Sequence, residues 1–272
     1  MFSHRDLSTE LEGVRNAYAP ETLVLDVERD FETLDPAVAE TLGLLVDRLD
    51  PLSYPAEWVP ADAPELLSRL ASDEFTIGAP GDGGVAWTRQ TTPPTVFVKP
   101  RLQGSPPAFI DFLVAEALVQ VGLEASDPDS PDGPDHPLPE HFLGFFGEQY
   151  PALAAATPLS PADTYQLAYA LFEAYIGLHT REVFVEWAGD HPALYDQWVD
   201  AGERLEPRLT ELPSAVARGE TGFAEAAEYA CSAIKHDLEL PAPFAALDTE
   251  AYRHHGPTYA VRWAEKTFEK LA

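Results

Sequence analysis

The stretch Val85–Gly122 reads VAWTRQTTPPTVFVKPRLQGSPPAFIDFLVAEALVQVG, and it decides the fold class. Around Val85–Gln90 and Thr95–Lys99 the residues follow the alternating pattern of short β-strands. Two prolines then open an apolar run over Ala108–Val121 that a glycine ends, which predicts a core helix. Short strands followed directly by a buried helix indicate an α+β protein.

The residues just before this stretch extend the predicted sheet. Phe75–Ala79 also alternates, and the Gly81–Gly84 turn would connect it to Val85–Gln90 as a β-hairpin. With Thr95–Lys99 as the third strand, the sequence predicts a small three-stranded antiparallel sheet at about residues 75–99.

Helical periodicity dominates the rest of the chain. Residues 7–17, 36–49 and 64–71 precede the sheet as predicted helices, and an extended segment lies at 22–25. After the acidic, proline-rich segment 124–137, which is predicted to be a flexible loop, only helices are expected. They lie at 139–155, 161–188, 191–205, 207–218, 223–237 and 258–271. We therefore predict a single α+β domain over 1–272, predominantly α-helical, with roughly eight to ten helices.

Charge is the strongest compositional signal. The chain carries 46 acidic and 17 basic side chains, a formal net charge of −29 on 272 residues. At low ionic strength such a surface repels itself, whereas about 1 M salt shortens the Debye length to about 3 Å. Lysine is limited to Lys99, Lys235, Lys266 and Lys270. The composition is typical of a halophilic protein in a high-potassium cytoplasm.

The same composition disfavours several classes of function. No basic stretch interleaved with aromatic residues is evident, which argues against nucleic-acid binding. The longest apolar run, Phe109–Val121, is too short to span a bilayer, and the first residues lack a signal-peptide pattern. A single cysteine, Cys231, excludes an internal disulfide and a multi-cysteine zinc site. We expect a cytoplasmic protein with no membrane, no metal and no cofactor.

The predicted strands and the helix after them resemble the core of the zincin metalloproteases. Their helix carries His-Glu-x-x-His, and the matching stretch here is Ala115–Val119. Only Glu116 matches, because both zinc-binding histidines are missing. The resemblance implies at most a catalytically inactive zincin-like fold. Glu116 stays a candidate acid or base, with the alternative that it is the polar edge of a core helix.

A second candidate site combines the cations of the sheet. Alternation places Trp87 and Arg89 on one face of a strand, and Lys99 and Arg101 on one face of the next. If the two faces coincide, three cations beside an indole would bind a phosphate or a carboxylate. The alternative is that these cations pair with neighbouring carboxylates.

The long helix supplies further candidates. His179 follows the buried stripe of that helix at helical spacing, and Arg181 lies close by. A histidine there acts as an acid or base, or is a hydrogen-bonded core residue. Cys231 is either a thiolate activated by Lys235 or His236, or a small buried apolar residue.

Five runs of the sequence carry a resemblance to a known family: Gly83–Gln90, Val96–Arg101, Asp163–Gln166, Gly177–Glu182 and Arg262–Lys266. They resemble a haloarchaeal family of unknown function, and the likeness extends over most of the chain. This resemblance implies a halophilic archaeal source and a soluble protein, and it brings no activity, cofactor or site.

Two functional hypotheses remain. The favoured one is a non-catalytic domain that binds a protein partner or supports an assembly through an exposed aromatic patch at Phe142, Phe145 and Phe146. The alternative is an enzyme or a small-molecule-binding protein with a pocket between the sheet and the long helix. Whether the chain is an enzyme stays open, and we favour that it is not.

Overall fold

The computed structural model describes residues 2–28, 83–89, 93–124, 138–139 and 142–271. These residues form two compact units. The sheet unit contains the strands, two helices and residues 189–197. The helical unit contains residues 142–188 and 198–271. The prediction of a single domain over 1–272 stays a prediction.

Four short strands form the sheet of the sheet unit. They are β1 (Phe2–His4), β2 (Leu23–Val27), β3 (Val85–Thr88) and β4 (Thr95–Val98), in the order β1-β2-β4-β3. β3 and β4 pair antiparallel, as predicted for the second and third strands of the sheet, and β4 is buried along its whole length. A central strand that is covered on both faces is largely apolar, and in β4 three of the four residues are apolar.

The observed sheet corrects the predicted one in size and in topology. β2 pairs with β4 in parallel, so the sheet is mixed rather than antiparallel, and it has four strands rather than three. Pairing Leu23 with Thr95 joins distant parts of the sequence, which local periodicity cannot reveal. The strand predicted at 75–79 lies outside the described residues.

The sheet unit contains two helices. α1 (Thr9–Tyr18) begins at Ser8, whose hydroxyl accepts a hydrogen bond from the Leu11 amide. α2 (Pro107–Glu124) is the apolar helix that the sequence predicts. α2 packs closely on α1, because a Cβ added to Gly122 would lie 2.5 Å from the Tyr18 carbonyl oxygen.

The helical unit is built around one long buried helix. The helices are α3 (Phe142–Phe146), α4 (Tyr150–Ala156), α5 (Pro161–Asp190), α6 (Pro192–Ala217), α7 (Phe223–Ala233) and α8 (Glu250–Leu271). α5 is buried on nearly every side over its middle turns, from Leu167 to Thr180. Tyr252 of α8 donates a hydrogen bond to the Leu171 carbonyl at 2.6 Å. This bond ties α8 to the central helix.

Three predicted helix boundaries are wrong. The helix predicted over 139–155 is divided by a 3-10 turn at Gly147–Gln149. The break predicted before Pro207 is absent, because α6 continues through Pro207 and Pro213. A proline inside a helix costs about 3 kcal/mol, and burial of Leu209 and Leu212 helps to offset that cost. α8 begins earlier than predicted and is kinked at Gly256, whose φ is +44°.

The described residues confirm a predominantly helical protein with one small sheet. They contain seven helices of seven residues or more, against the roughly eight to ten predicted for the whole chain. The helices predicted at 36–49 and 64–71 lie outside the described residues, as does the acidic segment after Glu124. In the described part of the chain, no helix has both the length and the apolar composition needed to span a membrane.

Candidate anion-binding groove

The strand cations predicted as a site do not converge in the sheet unit. Val85 is paired with Val98 and Thr88 with Thr95, so Arg89 follows one end of the hairpin and Lys99 follows the other. The five residue steps from Pro94 to Lys99 correspond to about 17 Å of extended strand. Directly paired residues project to the same face of a sheet. Trp87 is paired with Val96, so Trp87 and Phe97 lie on opposite faces of the sheet.

Two side chains of this predicted site, Trp87 and Arg89, form hydrogen bonds with α2. The Trp87 indole donates a hydrogen bond to the Gln120 side chain at 2.8 Å, and the Arg89 guanidinium donates to the Val121 carbonyl. Lys99 is 1% exposed, whereas Arg101 is exposed in a 3-10 turn. A ligand-binding role for these residues stays a prediction that the hairpin register does not favour.

The remaining candidates belong to different units. Glu116 is buried in α2 of the sheet unit, where the zincin-like resemblance stays a prediction. His179 is buried in α5 of the helical unit, with its ring 4.6 Å from that of Tyr175. Arg181 contacts Asp248 at 2.6 Å and Asp237 at 3.5 Å. These two ion pairs make Arg181 a structural link between α5 and the segment before α8.

Burial of the side chains argues against two further expectations, the exposed aromatic patch and the activated cysteine. Phe142, Phe145 and Phe146 are at most 7% exposed and pack edge to face on one another or on α5, so they form no exposed aromatic patch. Burial also raises the pKa of the Cys231 thiol, which disfavours the thiolate. His236 cannot assist as a cation at neutral pH, because burial, followed by the charge of Lys235, lowers its pKa to about 4.

The helical unit contains a groove that the sequence analysis did not predict. It has a volume of about 750 Å³ and lies between α8 and the segment Ala242–Ala246. Tyr259 and Trp263 of α8 donate hydrogen bonds to the carbonyls of Ala246 and Pro243, at 2.7 and 3.1 Å. These two bonds hold the segment against the helix and define the groove between them.

Three cations line this groove in a row. Arg262, Lys266 and Lys270 are spaced four residues apart on α8, so they follow one face of the helix, with the ends of the row about 12 Å apart. All three side chains are exposed. Half of the lysines in the chain therefore lie in one groove.

The three groove cations differ from every other described cation. Within the residues that the structure describes, each other arginine or lysine takes part in an ion pair, a hydrogen bond, a ring contact or another electrostatic interaction, whereas Arg262, Lys266 and Lys270 take part in none. Glu265 and Glu269 flank the row on the same helix and pair with none of the three. In a chain with 46 acidic residues, three such cations in one groove are a candidate site for an anion.

Thr267 adds a buried polar group to the groove. It lines the groove and is only 6% exposed, yet its hydroxyl makes no hydrogen bond to the residues that the structure describes. Its oxygen stays accessible to solvent, so water can bond to it in the groove. A ligand oxygen in the groove would accept a hydrogen bond from this hydroxyl in place of water.

Comparison with known proteins shows the family of this chain. A family model described as a family of unknown function (DUF7089) matches residues 1–271. The chain belongs to the DUF7089 family. No curated protein and no solved structure matches this family member. The residues matched by the DUF7089 model include the groove residues of α8 and the sheet.

One signal in the sequence points to the groove. Arg262, Lys266 and Lys270 repeat at the helical interval of four in a chain with only four lysines, and Tyr259 and Trp263 are interleaved with them. This segment is an exception to the expectation that no basic stretch is interleaved with aromatic residues. The signal was missed because the same residues also fit an ordinary amphipathic helix, and the opposite wall comes from a separate segment.

Proposed function

We propose that this protein is a halophilic, cytoplasmic, non-catalytic binding protein, and that the α8 groove holds a compact anion with two or more negative groups. The row of three unpaired cations carries this proposal. An anionic ligand would add charge-assisted contacts to the row, because no carboxylate among the described residues pairs with it.

The lining of the groove supports binding rather than catalysis. Its described side chains include cations, aromatic residues, small apolar residues and the Thr267 hydroxyl, with no carboxylate, imidazole or thiol among them. A general acid or base near neutral pH is usually a histidine or a carboxylate with a shifted pKa. The net charge of −29 and the scarcity of lysine support the halophilic part of the proposal.

The test is a titration of the ¹⁵N-labelled protein with pyrophosphate and with citrate, followed by amide chemical shifts. We expect shifts at Ala242–Ala246 and along α8 from Tyr259 onward. The Lys266→Gln, Lys270→Gln double variant should weaken binding at least tenfold, because it removes two charge-assisted contacts.

The matched control is the Arg204→Gln, Arg218→Gln double variant. It removes the same charge from two exposed side chains that do not line the groove. We expect the control to bind within about twofold of the parent protein. Equal losses in the two double variants, or no localised shifts with either anion at millimolar concentration, would contradict the proposed site.

A further inference from the structure

We infer that the ligand of the α8 groove is an organic diphosphate ester with an apolar body, its phosphates along the cation row and its body on the opposite wall. The inference rests on the proposed function and specifies the chemical class of the ligand. Three properties of the groove support it: the charge of the row, the composition of the facing wall and the unpaired hydroxyl.

The length and charge of the cation row suit linked phosphates. Neighbouring cations are one helical turn apart, about 6 Å, so one small ion contacts only part of the row. A diphosphate ester carries charge on two adjacent groups and matches the three positive charges of the row. Arg262 provides a planar fork for two phosphate oxygens, and Lys266 and Lys270 act as point charges.

The wall that faces the cations is apolar, because the residues that line it carry no polar side chain. Ala242, Ala245 and Ala246 are exposed, and Pro243 lies between them. The carbonyls of Pro243 and Ala246 already accept hydrogen bonds from Trp263 and Tyr259. A polar body such as a nucleobase would find few partners on this wall, whereas an aliphatic body would bury apolar surface there.

One end of the groove extends this apolar surface. Leu271 lines the groove and is 62% exposed, one of two large apolar side chains that are exposed in the described part of the chain. Coverage of this side chain by an aliphatic body removes apolar area from water. The Thr267 hydroxyl, which makes no hydrogen bond to the described residues, is available to a phosphate oxygen.

The charge around the row disfavours a long polyanion. Glu265 and Glu269 flank the cations on α8, and the whole chain carries a net charge of −29. A nucleic acid or an acidic polypeptide would place further negative charges beyond the row, where it meets a surface of the same sign. A ligand with its charge confined to one end avoids this repulsion.

The test is isothermal titration calorimetry of the full chain with hexyl diphosphate, inorganic pyrophosphate, hexanol, a hexaglutamate peptide and a short oligothymidylate. We expect hexyl diphosphate to bind at least tenfold more tightly than pyrophosphate, and hexanol not to bind. This comparison uses the unmodified protein, so it does not depend on the folding of a variant.

Two matched variants locate the apolar body. Ala245→Asp places a charge on the wall and should remove most of the advantage of hexyl diphosphate over pyrophosphate. Ala162→Asp adds the same charge to an exposed alanine that does not line the groove and should preserve the advantage. Thr267→Val should weaken both phosphate ligands alike, because both present oxygens to the hydroxyl.

The outcomes separate this inference from the proposed function. Equal affinities for hexyl diphosphate and pyrophosphate overturn the inference and leave anion binding intact. Tighter binding of the peptide or the oligonucleotide overturns it in favour of that polymer. No binding of any anion overturns both proposals.

Discussion

Burial changes the chemistry of individual side chains in the helical unit. His236 is 7% exposed, stacks on Trp198 with ring centroids 5.7 Å apart and packs against Gly202 of α6. The protonated form of this imidazole is therefore disfavoured, because a buried charge loses its hydration and is repelled by the positive charge of Lys235. The residue acts as a neutral aromatic spacer between α6 and the end of α7.

This environment predicts a pH-dependent stability. The pKa of His236 is about 4 in the folded protein and 6.5 in the unfolded chain, so the unfolded chain binds more protons between these values. Stability should fall as the pH drops through this window, by about 2 kcal/mol between pH 7 and pH 5 from this group. Urea unfolding of the parent protein and of His236→Asn at both pH values measures the difference.

The control for this prediction is the exposed His255. We expect His255→Asn to retain the pH dependence of the parent, and His236→Asn to lose about 2 kcal/mol of it. A His236→Asn variant with the full pH dependence of the parent would assign the effect to other groups.

At the scale of elements, close backbone contact sets where small residues are required. Gly122 allows α2 to approach α1, because an added Cβ would lie within 2.8 Å of both the carbonyl oxygen and the Cβ of Tyr18. Backbone atoms cannot move aside as a flexible side chain does, so the two helices would have to separate.

A glycine-to-alanine pair tests this packing. Gly122→Ala should destabilise the protein by about 1–3 kcal/mol through overpacking. Gly189→Ala, in α5, meets no atom within 4 Å and should be neutral or stabilising by up to about 1 kcal/mol. Chemical denaturation of both variants gives the comparison, and equal stabilities would show that α1 and α2 readily separate.

At the scale of the whole molecule, net charge governs the response to salt. Self-repulsion among 46 carboxylates is strong at low ionic strength and is screened at high ionic strength. Pairing of cations with anionic ligands in the groove is weakened by the same screening. Stability and affinity for a bound anion should therefore respond to salt in opposite directions.

A salt series measures both effects. Raising KCl from a low to a molar concentration should increase the thermal midpoint and lower the affinity for pyrophosphate. Sucrose at matched osmolality is the control, because it stabilises proteins by exclusion from their surface and does not screen charges. A larger rise of the thermal midpoint in KCl than in sucrose is therefore due to screening. A thermal midpoint that rises equally in sucrose, or that does not rise in KCl, would contradict the halophilic part of the proposal.

Local patterns in the sequence were sufficient to predict the class of fold and many of its elements. The hairpin strands at 85–88 and 95–98, the apolar helix α2 and the long helix α5 follow from periodicity, because each is defined by neighbours within a few residues. The continuity of α6 through Pro207 and Pro213 did not follow, since burial of its apolar face outweighs local propensity.

The candidate site was decided by tertiary structure. Composition alone showed that cations are scarce, but it could not show which of them lack a carboxylate partner. Hairpin register places Arg89 and Lys99 at opposite ends, and the fold brings Ala242–Ala246 against α8 to make a groove beside Arg262, Lys266 and Lys270. Charge and periodicity are properties of the chain, whereas pairing and cavities depend on which distant residues the fold brings into contact.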